Sequence, residues 1–201
     1  MHGSGINDDV EFKNLEGDVT SWDVAYYIGE DEVLDKTAVF TVDELYPGMP
    51  RREDVVDIYN LGTASTKIEY ELTSVKVFGV EVLEGLKTEG VIKTDGNTTD
   101  IFADDTKYPF NISYTYDKDR LDGEYVDDET TPNAFAKFKF NLTWDYQAGA
   151  DKTDQEKLAK DILDTQFGKD AYDFYLNEQN DPRKAVEISV KITSSMIREN
   201  T

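Results

Sequence analysis

The residues of this chain best placed to do chemistry are the carboxylates of one short run, Asp117-Lys118-Asp119-Arg120-Leu121-Asp122-Gly123-Glu124. Oxygen ligands at alternating positions ahead of a Gly turn are what a calcium loop uses. Asp117, Asp119, Asp122 and Glu124 are therefore the candidate metal ligands, and calcium is the one cofactor considered. The spacing departs from an EF-hand: the Gly stands one place late, and the twelfth position is Asp128 rather than Glu. The interleaved Lys118 and Arg120 also dilute the local negative charge, so an ordinary solvated loop competes with a calcium site here.

Other chemistries fail on residue counts. The chain has no Cys, which removes disulfides and thiolate nucleophiles. Its one His is His2, inside Met1-His2-Gly3-Ser4-Gly5, which reads as a cloning remnant over residues 1–5. A Ser nucleophile thus has no imidazole base, and a His-Glu-x-x-His zinc helix cannot be written. Gly85 and Gly90 match no phosphate-binding Gly pattern. Glycosidase chemistry needs only two carboxylates, but with 43 acidic residues their presence discriminates nothing. The sequons at Asn97, Asn111 and Asn141 arise too readily by chance to carry an argument. The expectation is a protein that is not an enzyme.

Charge narrows the partners. Forty-three acidic against 21 basic residues give −22, a field that repels phosphate backbones and anionic lipid. Nucleic acid is excluded as an expected partner, and no apolar run is long enough to span a membrane as a helix. At 38% hydrophobic the chain can still build a core. Its length suits one domain, expected over residues 6–201, burying about 70% of the unfolded-chain surface.

The elements that must position these groups read as strands. Trp22, Val24, Tyr26 and Ile28 alternate, as a half-buried strand requires. Ala38 to Val42 and Asp54 to Tyr59 flank a Pro47-Gly48 turn, and Asn60-Leu61-Gly62 turns the chain into Ile68-Glu69-Tyr70-Glu71-Leu72. The phase then shifts from even to odd residues at Val75 and Val77, which predicts a bulge near Thr73-Ser74. Residues 84–106 read as loops and short edge pieces around the turn Asp95-Gly96-Asn97. Phe110 to Tyr116 is a strand, Lys118 to Pro132 a polar loop, and Phe138 to Tyr146 the cleanest alternation, predicting a central strand.

A capping box, Thr153-Asp154-Gln155-Glu156, opens a helical insert near residues 154–177. Leu158, Ile162, Leu163 and Phe167 supply its expected apolar stripe and Gly168 its stop, followed by a further helical turn or two carrying Tyr172, Phe174 and Tyr175. Val186-Ile188-Val190-Ile192 closes the chain as a strand. The whole predicts a mainly β protein, an antiparallel jelly-roll-like β-sandwich.

The order of a leading strand, Leu45-Tyr46-Pro47-Gly48, a strand running into Ile58-Tyr59-Asn60-Leu61-Gly62-Thr63, and a late Phe138-Lys139-Phe140-Asn141-Leu142-Thr143-Trp144 strand resembles the TasA/camelysin group of secreted bacterial proteins. The likeness is one of pattern over roughly Val19 to Ile192. It implies a jelly-roll-like matrix-fibre subunit of the biofilm, exported, extracellular or at the cell surface. Fibre-forming members donate an N-terminal strand to the next subunit. The resemblance assigns that part to Ile6 to Leu15, whose apolar members are Ile6, Val10, Phe12 and Leu15. Camelysins are described as metal-dependent proteases, an activity not carried to a chain without native His or Cys ligands.

The expectation is therefore a secreted structural protein that self-associates, or joins another matrix protein, by β-strand addition. The alternative is an extracellular binding module, an adhesin or carbohydrate-binding domain assisted by calcium.

Overall fold

The computed structural model describes residues 10–13, 19–32, 36–180 and 183–198, with side chains from residue 23 onward. The leader at residues 1–5 lies outside them. In chain order the strands are β1 (Val10–Lys13), β2 (Val19–Trp22), β3 (Val24–Ile28), β4 (Asp31–Glu32), β5 (Thr37–Val42), β6 (Arg52–Asn60), β7 (Thr66–Val77) and β8 (Val80–Glu81). A short helix α1 (Leu83–Thr88) follows. Then come β9 (Lys93–Asp95), β10 (Thr98–Asp100), β11 (Asn111–Tyr116), β12 (Arg120–Leu121), β13 (Phe135–Thr143), helix α2 (Asp154–Leu176) and β14 (Val186–Met196).

Two antiparallel sheets pack face to face as a β-sandwich. One runs β4-β3-β6-β13-β11-β10-β9; the other runs β12-β7-β14-β5, with β8 hairpinned onto β7; β1 and β2 form a two-stranded sheet of their own. β13 lies in the middle of the larger sheet, as its unbroken alternation predicts: Ala136, Phe138, Phe140 and Leu142 are all buried. Across the sandwich Phe40 stacks on Phe140 at 5.2 Å, and Tyr70 lies between Tyr116 at 4.1 Å and Phe138 at 5.5 Å. The fully buried members, Phe40, Phe138 and Phe140, each contribute about 1.5–3 kcal/mol of transfer free energy, so the sheets are held mainly by this aromatic seam and the aliphatic residues around it.

Several turns behave as their residues dictate. The bulge falls at Thr73, where β14 pairs Ser189 with Ser74 but Val190 with Leu72, and this moves the buried face from Ile68 and Leu72 to Val75 and Val77. Gly48, at φ +72°, donates its N–H to the Trp144 carbonyl at 2.9 Å as the chain crosses from one sheet to the other. Asn60 is fully buried: its Oδ1 accepts from Gly62 N at 3.2 Å and its Nδ2 donates to the Ala64 carbonyl at 2.8 Å. That amide replaces the partners the turn's backbone lacks.

The expected strand from Val19 to Ile28 is broken at Asp23, because its carbonyl turns to accept from Leu61 N at 2.7 Å and Gly62 N at 3.1 Å. Ile28, expected inward, is exposed. Residues 84–106 hold α1 and the β9–β10 hairpin, more structure than their weak periodicity suggests.

The larger correction concerns α2. It starts where the capping box predicts, with Thr153 and Glu156 each bonded to the other's backbone N–H. It then runs unbroken for 23 residues, past Gly168. Leu158 and Ile162 are 60% and 62% exposed and take no part in the core. The buried face is one step around, through Leu163, Asp164, Phe167, Gly168, Ala171 and Phe174. Gly168 serves close packing instead of a stop: a Cβ there would stand 3.2 Å from the Pro47 ring. Phe167 and Phe174 each sit 5.6 Å from Phe78, whose φ of +49° turns the β7–β8 hairpin toward the helix. Of the three late aromatics, Phe174 packs and Tyr172 is exposed. Asp164, the one buried acid of the helix, accepts from Trp144 Nε1 at 2.8 Å and from Lys160 Nζ at 3.0 Å.

Candidate functional site

The acidic run is drawn out along an edge of the smaller sheet. Arg120 and Leu121 pair with Lys67 and Thr66 of β7, the Asp119 carbonyl accepts from Ile68 N at 2.7 Å, and Leu121 is fully buried. Only Arg120 and Leu121 of the run are strand, and the carboxylates on either side of them are engaged separately. Asp117 Oδ1 accepts from Lys137 N at 2.7 Å, so it serves the start of β13. Asp122 lies 3.9 Å from Arg120, and its N–H donates to the Asn133 carbonyl at 2.8 Å. Glu124 is exposed. Among the described residues no three acidic, His or Cys side chains gather so as to hold a metal. Gly123 has a packing reason: a Cβ would meet Gly62 O and the Thr63 carbonyl at 2.5 Å.

The loop that follows is tied down by its own side chains. Asp127 Oδ1 accepts from the N–H and the hydroxyl of Thr130 and from the N–H of Glu129, which holds its carboxyl below the usual range. Tyr125 donates to Asp128 Oδ1 at 2.9 Å, and this bond pushes its hydroxyl up to about 12. Its ring joins Tyr59 at 4.7 Å and Phe135 at 5.8 Å, with Tyr27 against Tyr59 at 5.9 Å. Lys118 lies over Phe135 at 5.1 Å. These half-buried rings cover one another on the outer face of the larger sheet and anchor the loop.

The sheet edges offer a different kind of site. An open edge presents unpaired N–H and C=O groups to any extended chain. The larger sheet ends in β4 and β9, of two and three residues, each carrying charge, which blunts both edges. The β7 edge of the smaller sheet is covered by β12 at one end and β8 at the other. At the β8 end Glu81 extends this cover: its Oε1 accepts from Val75 N at 2.9 Å and Leu83 N at 3.2 Å, and its Oε2 from Ser74. Burial alone would lift the Glu81 carboxyl, but these bonds hold it below the usual range.

β5 is the remaining edge, six residues long, and among the described residues no strand pairs its far side. Ile192 N donates to the Lys36 carbonyl at 2.8 Å, which sets the phase of pairing with β14 and turns the odd residues outward. Arg52 satisfies one outward group, donating from Nη1 to the Thr41 carbonyl at 2.5 Å while it lies over the Phe40 ring at 4.4 Å. Val39 is left with its N–H and C=O facing out, and its side chain is 44% exposed. Sequence reading identifies β5 as a strand but gives no sign that it is an edge, since a strand's neighbours are set by topology. The expected donor segment, Ile6 to Leu15, is described only at Val10–Lys13, where it forms β1 on β2.

No helix of the described residues is long and apolar enough to cross a membrane. No family model, curated protein or solved structure matches the chain.

Proposed function

We propose that this protein is a secreted or cell-surface structural subunit, a non-catalytic β-sandwich that associates with further copies, or with another matrix protein, by strand addition at β5. The observation that carries this reading is β5 itself, a six-residue edge whose far side no strand pairs among the described residues, whereas the larger sheet ends in short charged strands and the β7 edge is capped at both its ends. An incoming extended segment would gain main-chain hydrogen bonds at Val39, with its register set by the alternating side chains of β5. The β1–β2 hairpin suits the donor part, because a two-stranded ribbon is marginal alone and gains by joining a larger sheet. The resemblance to TasA/camelysin proteins supports the same reading. The charge of −22 works against association at neutral pH, so assembly should strengthen in acid or high salt, where self-repulsion falls or is screened.

Light scattering with negative-stain electron microscopy across pH and salt tests this. Fibres or higher oligomers that grow as charge is neutralised support the proposal. Monomers in every condition, including acid, overturn it.

A further inference from the structure

A cavity of about 520 Å³ opens between the first half of α2, the loop from Phe102 to Phe110 and the segment after β13. Its volume falls within the range of about 300–1,000 Å³ typical of small-molecule sites. Neither the strand-addition surface nor the acidic run touches it. We propose that this cavity binds a neutral carbohydrate, with Tyr108 as the apolar wall and Asn111, Asp145 and Gln147 as the polar rim.

The apolar wall is rigid. Tyr108 is half-buried and backed by Phe102 at 4.8 Å, with Phe167 of α2 edge-on at 6.1 Å. Phe110 then ties this cluster to Trp144 at 5.6 Å. A fixed ring offers contact area at little entropic cost, and the C–H face of a sugar ring is a flat apolar surface of matching kind. Asn111, Asp145 and Gln147 also line the cavity, exposed and with side chains engaged in no hydrogen bond or ion pair among the described residues. Each carries two heteroatoms on one plane, a carboxylate accepting only and an amide both donating and accepting. Such groups match adjacent hydroxyls, which also donate and accept.

Charge separates this ligand class from anions, and the carboxylates of Asp100, Asp105, Asp145 and Glu156 on the lining make a cation the rival that the test must reject. The two lysines at the cavity already face carboxylates: Lys160 Nζ is bonded to both oxygens of buried Asp164 at 3.0 and 3.1 Å, and Lys152 lies in an exposed pair 3.9 Å from Asp105. No unpaired cation is left there to hold a phosphate or carboxylate, and the protein's overall charge repels anions. A wholly apolar ligand would desolvate the rim without pairing it, a cost of about 1–3 kcal/mol per stranded group. An amphipathic neutral ligand satisfies both walls.

The test is ligand-observed and amide-shift NMR on the intact protein with a panel of soluble cello-, xylo-, manno-, malto- and N-acetylglucosamine oligosaccharides. Spermidine and inorganic phosphate serve as charged probes. The expected result is saturable binding of at least one panel member at millimolar or lower concentration, with shifts at the amides of Ala159 and Leu163, which line the α2 side. Asp145→Ala and Gln147→Ala, both at exposed positions, should each weaken binding about tenfold, equal to about 1.4 kcal/mol, and leave the melting temperature unchanged. The wild-type shift map locates the ligand independently of any variant. Failure of the whole panel to bind, shifts elsewhere, binding indifferent to both variants, or binding of spermidine or phosphate in place of the sugars overturns the proposal.

Discussion

Replacing Asp164 with Ala tests how α2 is attached to the sandwich. The carboxylate is 5% exposed and accepts from Trp144 Nε1, whose side chain is 1% exposed. Truncation strands a buried indole N–H, which costs about 1–3 kcal/mol. It also removes the bond to Lys160, whose 21% exposure limits its worth to about 1 kcal/mol. Ala regains about 0.5 kcal/mol of helix propensity over Asp. The sum is a loss of roughly 1.5–3.5 kcal/mol. For a domain of this size that lowers the melting temperature by about 3–14 °C at roughly 2–4 °C per kcal/mol. Asp164→Asn separates the two contributions, since its amide oxygen still accepts from Trp144 while the attraction to Lys160 is lost, for a cost near 1 kcal/mol. Urea unfolding of the three proteins, followed by far-UV circular dichroism and extrapolated linearly, measures this. Equal losses in the Asn and Ala variants, or a loss below about 0.5 kcal/mol for Ala, would refute the claim that the indole bond fastens the helix.

Three further outcomes follow from the same geometry. Gly123→Ala should cost more than about 2 kcal/mol, because its Cβ would meet backbone atoms of Gly62 and Thr63 at 2.5 Å and backbone yields little; an unchanged urea midpoint would contradict this. Glu81 is held below the ordinary carboxyl range when folded, so its contribution is present above its unfolded value, near 4.5, and is lost as pH falls through the folded one. Wild-type stability minus that of Glu81→Gln, measured by urea titration from pH 6 down to about 3, should therefore shrink on acidification, and a constant difference would count against the edge-capping role. Millimolar calcium should leave the melting temperature within about 1 °C, since Asp117, Asp119, Asp122 and Glu124 belong to no acidic cluster able to hold a metal; a rise of several degrees would restore the loop as a calcium site.

What the sequence reveals is the part governed by local rules. The bulge at Thr73, the Asn60 turn and the Thr153 capping box are each set by residues close in sequence and found in the structure, as is the alternation from Phe138 through Trp144, although β13 ends at Thr143 and Tyr146, expected to continue it, is exposed. The exposed stripe of α2 escapes this logic. Leu158 and Ile162 have helical spacing, yet the face that packs is chosen by Trp144, Pro47 and Phe78, which approach from distant segments and meet Asp164, Gly168 and Phe167. Gly168 reads locally as a stop and is instead the gap into which the Pro47 ring fits. The candidate sites divide in the same way. Asp117 to Glu124 attract notice because their residue types suggest ligands, whereas the openness of β5 and the cavity beside α2 arise only when non-adjacent segments come together.

The central claim, strand addition at β5, is tested most directly by Val39→Pro. The Val39 N–H points away from β14, so Pro at this position removes no bond from the native ladder but denies an incoming strand its donor and crowds the edge. Light scattering and electron microscopy would compare the variant with the unmodified protein at the acid or high-salt condition where the latter assembles. The expected result is a variant with native circular dichroism that stays monomeric beside an assembling parent. Assembly of the variant at the parent's rate, or a parent that never assembles, would contradict it.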